Sequence, residues 1–365
     1  MGRILRPEDV EAAVKGGSVF AAGGGGWADH GRMLGAAATN AGEPELVSMD
    51  EVPDDAWIAT AAAIGAPAGT TDWQMLGVDY VKAVELLQNA LGAPIYGLII
   101  GQNGMSSTLN AWLPGAILGT KVVDAVGDVR AHPTGDMGSL GMANSPDMTI
   151  QTAVGGNRAK NQYIELVVRG ATAKISPVLR KAADVSGGFI ASCRNPLRGA
   201  YVREHAALGG ISLALSLGEA IIAAEPKGGG SVIDAICTTM KGTILFRGKV
   251  SKKAVAYTNE AFDVGTITLT NGTRSCRLFV MNEYIAVEDG DGARKATFPD
   301  VITTLDDGGR PISVGHIREG DELSVLHISK EVIPLSSSVK DPSVYPIVEK
   351  ALGISVAEYA LGSKA

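Results

Sequence analysis

Arg130, His132 and Asp136 lie close together in the segment VVDAVGDVRAHPTGD (122–136), and Asp124 opens it. A carboxylate, a guanidinium, an imidazole and a second carboxylate within 13 residues can supply a base, an anion clamp and a proton shuttle. Just upstream, Asn103 and Gly104 follow the apolar run PIYGLII, where an amide side chain could orient the polar edge of a ligand. A loop of this composition is also compatible with an Asp–Arg pair that merely pins it. Loops beyond strand ends concentrate catalytic groups, which favours the chemical reading.

The second concentration is AAGGGGWADHGR (21–32), four consecutive glycines followed by Trp27, Asp29 and His30. The spacing does not match GxGxxG, because Ala28 or Asp29 falls where the third glycine belongs. A carboxylate at Asp29 would also repel a phosphate at a helix start. GAILGTK (115–121) is one residue short of a P-loop and has threonine before its lysine. No nucleotide is therefore favoured. The glycines read as a pocket wall whose backbone N–H groups approach a small ligand, with Gly24, Gly25 and Gly26 as binding residues. Asn103, Gly104 and Asp136 form the facing wall.

The five histidines show no HExxH or HxH spacing. One divalent ion held by Asp29, His30 and Asp124 is an expectation that depends on tertiary proximity. Cys193 stands beside Arg194, which could activate its thiol, although a free cysteine usually behaves as a small buried apolar residue. No GxSxG elbow is present.

The elements that must carry these groups alternate between strand and helix through the first two-thirds of the chain. A helix is expected from Pro7 to Gly16-Gly17, then a short strand at 18–22 that enters the glycines. Helices are expected at 30–41, 75–91, 104–119, 171–184 and 207–224. Strands are expected at 45–49, 57–64, the PIYGLIIG run and TKVVDAVG. Such alternation implies a layered α/β domain with a mostly parallel sheet over residues 1–240. From about residue 242 short alternating runs are separated by Asn-Gly, Asp-Gly and Gly-Gly, which implies an antiparallel β-barrel-like domain over 241–334. Residues 335–365, with a helix at 341–351, are expected to pack back on the first domain.

Composition narrows the class of partner. A net charge of −7, a pI near 5.4 and no basic run argue against nucleic acid. No apolar run reaches membrane-spanning length, and the N-terminus lacks a signal-peptide core. Three widely spaced cysteines support neither a disulfide framework nor a zinc knuckle. A cytoplasmic homo-oligomer is the expectation.

Several segments together resemble the S-methyl thiohydantoin desulfurase family. They are FAAGGGGWADHGR, DEVPDDAWIATAAAIGAP (50–67), Asn103-Gly104, VVDAVGDVRAHP (122–133), LFRGKV (245–250), CRLFVMNEYIAV (276–287) and PDVITTLDDGGRPI (299–312). The resemblance implies an α/β layered domain plus a β-barrel-like domain. It also implies hydrolysis of a thiohydantoin or hydantoin-like ring, often in company with hydantoinase/oxoprolinase proteins. Where the family usually has Gly-Gly before Asn-Gly, this chain has Gly101-Gln102. Where it usually has glycine-arginine-alanine-aromatic-proline, this chain has Val129-Arg130-Ala131-His132-Pro133. An altered pocket and a different substrate are therefore expected.

The resulting expectation is a hydrolase that directs water at the ring carbon between two nitrogens. Asp124 or His132 would take the proton, and Arg130 with the Gly24, Gly25 and Gly26 N–H groups would stabilise developing charge. A metal at Asp29, His30 and Asp124 would serve instead by lowering the water's pKa. The alternative is a non-catalytic ligand-binding or partner subunit of a hydantoinase/oxoprolinase system.

Overall fold

The structure, a computed structural model, describes residues 2–66 and 72–362. Pro67, which ends the 50–67 segment, and the last three residues of the 335–365 tail lie outside the described residues.

The first part of the chain runs β1 (Arg3–Ile4), α1 (Pro7–Phe20), α2 (Ala28–Ala41), β2 (Glu45–Val47), β3 (Trp57–Gly65), α3 (Gly77–Leu91), β4 (Gly97–Gln102), α4 (Trp112–Leu118) and β5 (Lys121–Asp128). It continues through β6 (Thr149–Gly155), β7 (Ile164–Gly170), α5 (Thr172–Val185), β8 (Phe189–Arg198), α6 (Gly199–His205), β9 (Ala207–Leu208), α7 (Gly210–Ala224) and α8 (Gly229–Met240). Its strands form one sheet in the order β1-β2-β5-β4-β3-β8-β6-β7, with β9 on β5. The expectation of a mostly parallel sheet holds only in its β2-β5-β4-β3 half. Beyond β3 the pairing with β8, β6 and β7 is antiparallel, so the sheet is mixed. The strands β6 and β7 have no counterpart in the elements expected from the sequence. The edge strand β7 shows why: its residues alternate between half-buried and exposed, and no continuous apolar run marks it.

The second part is all antiparallel: β10 (Thr243–Tyr257), β11 (Asp263–Thr270), β12 (Ser275–Met281), β13 (Glu283–Asp289), β14 (Arg294–Thr297), β15 (Val301–Leu305) and β16 (Glu322–Ile328). Its order is β14-β13-β12-β11-β10-β16-β15, and contacts between β13 and β15 curl it on itself. After α9 (Pro346–Leu352) and α10 (Ala357–Ala360) the described chain ends. In this tail Val344, Tyr345 and Val348 cluster with Phe262, Met281 and Phe298 of the second sheet, and with Met137 of the first part. The tail packs on the second sheet through this cluster and on the first part through hydrogen bonds of Ser336 with Asp128, Ser337 with His205 and Ser338 with Gly141.

The N-terminal expectation needs correction. Helix α1 does not stop at Gly16-Gly17, and residues 18–22 are not a strand. A Cβ at position 16 would collide with the Ala214 carbonyl of α7, and one at 17 with the Gly104 carbonyl. These glycines let neighbouring backbones touch along the helix and do not end it. The 104–119 region is a single 3-10 turn at Ser107–Leu109 followed by α4, and α7 begins only at Gly210. Among the described residues no helix is long and apolar enough to cross a membrane.

Candidate functional site

At the carboxyl ends of β3 and β4 a cavity of about 400 Å³ lies between the two sheets. Open α/β sheets place ligands at this edge because strand ends and the following loops leave a crevice there. The first part contributes Gly25, Gly26, Gly101, Gln102 and the loop 132–136, and the second contributes Phe262, Asn282 and Glu283.

The glycine run forms the seam between the two sheets. The Tyr284 N–H donates to the Ala22 carbonyl at 2.8 Å and the Val314 N–H to the Gly23 carbonyl at 2.9 Å. From the opposite side the Ser106 N–H donates to the Gly25 carbonyl at 3.1 Å. Gly25 has φ 73° and lies against the Gly104 backbone, where an added Cβ would sit 2.7 Å from the Gly104 Cα. Only glycine combines that φ with that approach. Among the described residues the N–H groups of Gly25 and Gly26 have no protein acceptor. They immediately precede α2 and border the cavity, as donors for a ligand must.

An aromatic wall stands beside them. Trp27 stacks on Trp73 at 4.5 Å and meets the edge of Phe189 at 4.7 Å, and both Trp27 and Phe189 line the cavity. His30 belongs to the back of this wall, packed edge-on to Trp73 with its Nε2 3.3 Å from the Tyr80 hydroxyl. Burial lowers its pKa to about 4 and keeps it neutral.

Glu283 is buried where the hairpin turn at Asn282 (φ 57°) starts β13. Its carboxyl group lies over Gly24, where a Cβ would collide with it, and Oε2 has no partner among the described residues. Burial pushes its pKa up to about 8, against the opposing pull of Arg130 and Arg180. A buried carboxyl near the operating pH is suited to proton transfer.

His132 is held at its backbone and packed at its ring. Its backbone N–H donates to Gln102 Oε1 at 2.9 Å and its ring packs against Gly138. Its Nδ1 lies 3.5 Å from Asp128 Oδ2 with no hydrogen bond between them. Burial, with Arg194 and Arg130 nearby, lowers its pKa to about 3, so the ring is neutral. Asp128 is pushed well above the usual carboxylate range by burial. Asp136 accepts from the Ser176 hydroxyl at 3.3 Å and is also raised by burial.

The remaining residues singled out from the sequence stand elsewhere. Asp124 does not line the cavity: its Oδ1 accepts from the Ile211 and Ser212 N–H groups at 2.9 and 3.0 Å and caps α7. Asn103 is buried behind the wall, donating to the Val129 and Gly210 carbonyls and accepting from Thr108. Arg130 donates to the carbonyls of Ala131, Tyr284 and Asp300, tying the two parts together, and acts on the cavity only through its charge. Asp29, with a side chain 99% exposed, pairs with Arg32 on the surface. Asp29, His30 and Asp124 are thus not a ligand set, and no cluster of three or more metal-ligating His, Cys, Asp or Glu side chains occurs among the described residues. Cys193 is buried within β8 with its pKa pushed up to about 12, because burial outweighs Arg194.

Two family descriptions match this chain. The S-Me-THD-like N-terminal domain covers residues 8–162 and the S-Me-THD-like C-terminal domain residues 171–333. The chain belongs to the S-methyl thiohydantoin desulfurase family. The two family matches divide between residues 162 and 171, within the first sheet, whereas the sheets themselves divide after Met240. A crystal structure of a structural-genomics protein from Chromobacterium violaceum has the same fold, with a TM-score of 0.73 at 22% identity over 96% of this chain and 98% of that one. No curated protein matches the chain.

Sequence reasoning passed over Glu283, Arg180 and Arg194. Glu283 is the one acidic residue inside CRLFVMNEYIAV, set between apolar runs, and that is its available signal. In the sequence Arg194 stands out only as a neighbour of Cys193.

Proposed function

We propose that this protein hydrolyses a small cyclic thioamide or amide, a thiohydantoin or hydantoin-like ring, with Glu283 as the proton-transferring group. The observation that carries the reading is a buried carboxyl with one oxygen unpartnered, set over the glycine loop at the wall of the cavity. The family's name supplies the substrate class.

In an S-methyl thiohydantoin the carbon between the two ring nitrogens carries the methylthio group. Ionised Glu283 takes a proton from water as its oxygen bonds to that carbon. Negative charge then develops on the ring nitrogen, where the free Gly25 and Gly26 N–H groups can receive it. The C–S bond breaks, the thiolate leaves with the proton from Glu283, and a hydantoin remains. Neutral His132, whose backbone is fixed by Gln102, orients the polar edge of the ring, while Trp27 and Phe189 cover its face. Arg130 is a positioning residue whose charge holds Glu283 from rising further.

Thiol release from S-methyl thiohydantoins, followed with a thiol-reactive chromophore, tests the reading. Wild-type protein is expected to turn over, and Glu283→Gln to lose about 100-fold or more in kcat. Absence of turnover on thiohydantoins and hydantoins alike, or full activity in Glu283→Gln, overturns it.

A further inference from the structure

Arg194 is 7% exposed and lines the cavity, yet its guanidinium makes no hydrogen bond and has no carboxylate at ion-pair distance among the described residues. The other two arginines near the cavity, buried Arg130 and half-buried Arg180, are spoken for. Arg180 donates to the Gly65 and Pro133 carbonyls at 2.8 and 2.7 Å, and Arg130 ties the two sheets. A buried cation without partners is costly unless something completes it.

Its placement is built. Strand β8 carries a bulge: Leu197 pairs with Ile58, but Arg194 pairs with Thr60, and Asn195 between them adopts φ 52°. Bulges of this kind re-aim a side chain beside a site. Room for the guanidinium comes from Gly135, where a Cβ would lie 2.7 Å from Arg194 Nη1. The carboxylate whose charge bears most on Arg194 is Asp136, which is engaged by Ser176 instead.

We infer that Arg194 is the receptor for an anionic group of the substrate, so that the ring handled in this cavity carries a carboxylate side chain. This rests on the proposed cyclic substrate for the ring, and on Arg194 alone for the anion. The planar guanidinium offers paired donors that match a carboxylate.

Calorimetric binding to the full chain separates the two parts. The probes are hydantoin-5-acetate, its primary amide, and the ring-free acid succinate. Wild type is expected to bind the ring acid at least about tenfold more tightly than the amide. That preference should vanish in Arg194→Met. It should shrink in Gly135→Ala, which keeps the arginine but crowds it, and so guards against a misfolded first variant. A carboxylate receptor also predicts that unliganded Arg194→Met melts no lower than wild type, whereas a structural arginine predicts a large drop. Equal binding of acid and amide, or a preference that survives in Arg194→Met, overturns the inference and leaves the ring reading standing. Succinate binding as tightly as the ring acid, dependent on Arg194, supports the anion receptor and overturns the ring. Binding of none of the probes at millimolar concentration overturns the receptor.

Discussion

Gln102 holds the backbone of His132: the glutamine Oε1 accepts the histidine N–H at 2.9 Å. Both are among the positions, with Val129, at which the chain differs from the runs that its family resemblance implies, and these two touch. The end of β4 and the loop after β5 are thereby joined at the cavity wall. A glycine at 102 would have no side chain to make this bond. Gln102→Ala is expected to cost about 1 kcal/mol in stability, the net worth of one hydrogen bond. It should lower kcat about tenfold or more, since His132 loses its register. Chemical denaturation and steady-state kinetics on the same variant check both; unchanged kinetics would remove His132 from the site.

Glu283 predicts a pH dependence in two observables. Its folded pKa, about 8, lies above the ordinary glutamate value of 4.5. Between those values the folded protein holds a proton that the unfolded chain has released. The stability linked to Glu283 is therefore present in full at low pH and falls as pH rises toward 8. Asp128 and Asp136 are shifted in the same direction, so the difference between wild type and Glu283→Gln isolates this group. That difference should change steadily from pH 5 to pH 8. As a base, Glu283 also requires kcat/KM to rise with pH through an apparent pKa near 8. A profile that falls over this range would make it an acid.

His132 should not contribute a second limb. Its pKa of about 3 keeps the ring neutral throughout the working range. His132→Asn is expected to lower kcat without moving the apparent pKa. A shift of the rising limb in that variant would assign the titration to the histidine.

Asp124 gives a contrasting prediction, because its carboxylate caps α7 from β5. Asp124→Ala should cost about 1–2 kcal/mol in unfolding free energy, while Asp124→Asn, which can still accept these hydrogen bonds, should cost much less. Neither should change kcat/KM by more than about twofold, since no reacting group is touched. A large kinetic loss in Asp124→Asn would return this residue to the chemistry.

The chain's local chemistry was enough to predict a layered α/β region followed by antiparallel hairpins. Apolar runs such as PIYGLIIG and turn dipeptides such as Asn271-Gly272 act over a few residues. The glycine run, His132 and Asp136 also stand out in the sequence, as polar or conformationally unusual stretches, and they border the cavity. Other decisions depended on partners distant in sequence. Gly16 and Gly17 look like a helix stop until α7 and residue 104 are brought against them. Asp124 looks like a base until its carboxylate meets the N–H groups at the start of α7. Glu283 is brought over Gly24, 259 residues before it, by the closure of the second sheet on the first (283 − 24 = 259). Spacing along a chain fixes which groups share an element. Burial, and with it the protonation of Glu283 and the unpaired charge of Arg194, exists only after the sheets have packed.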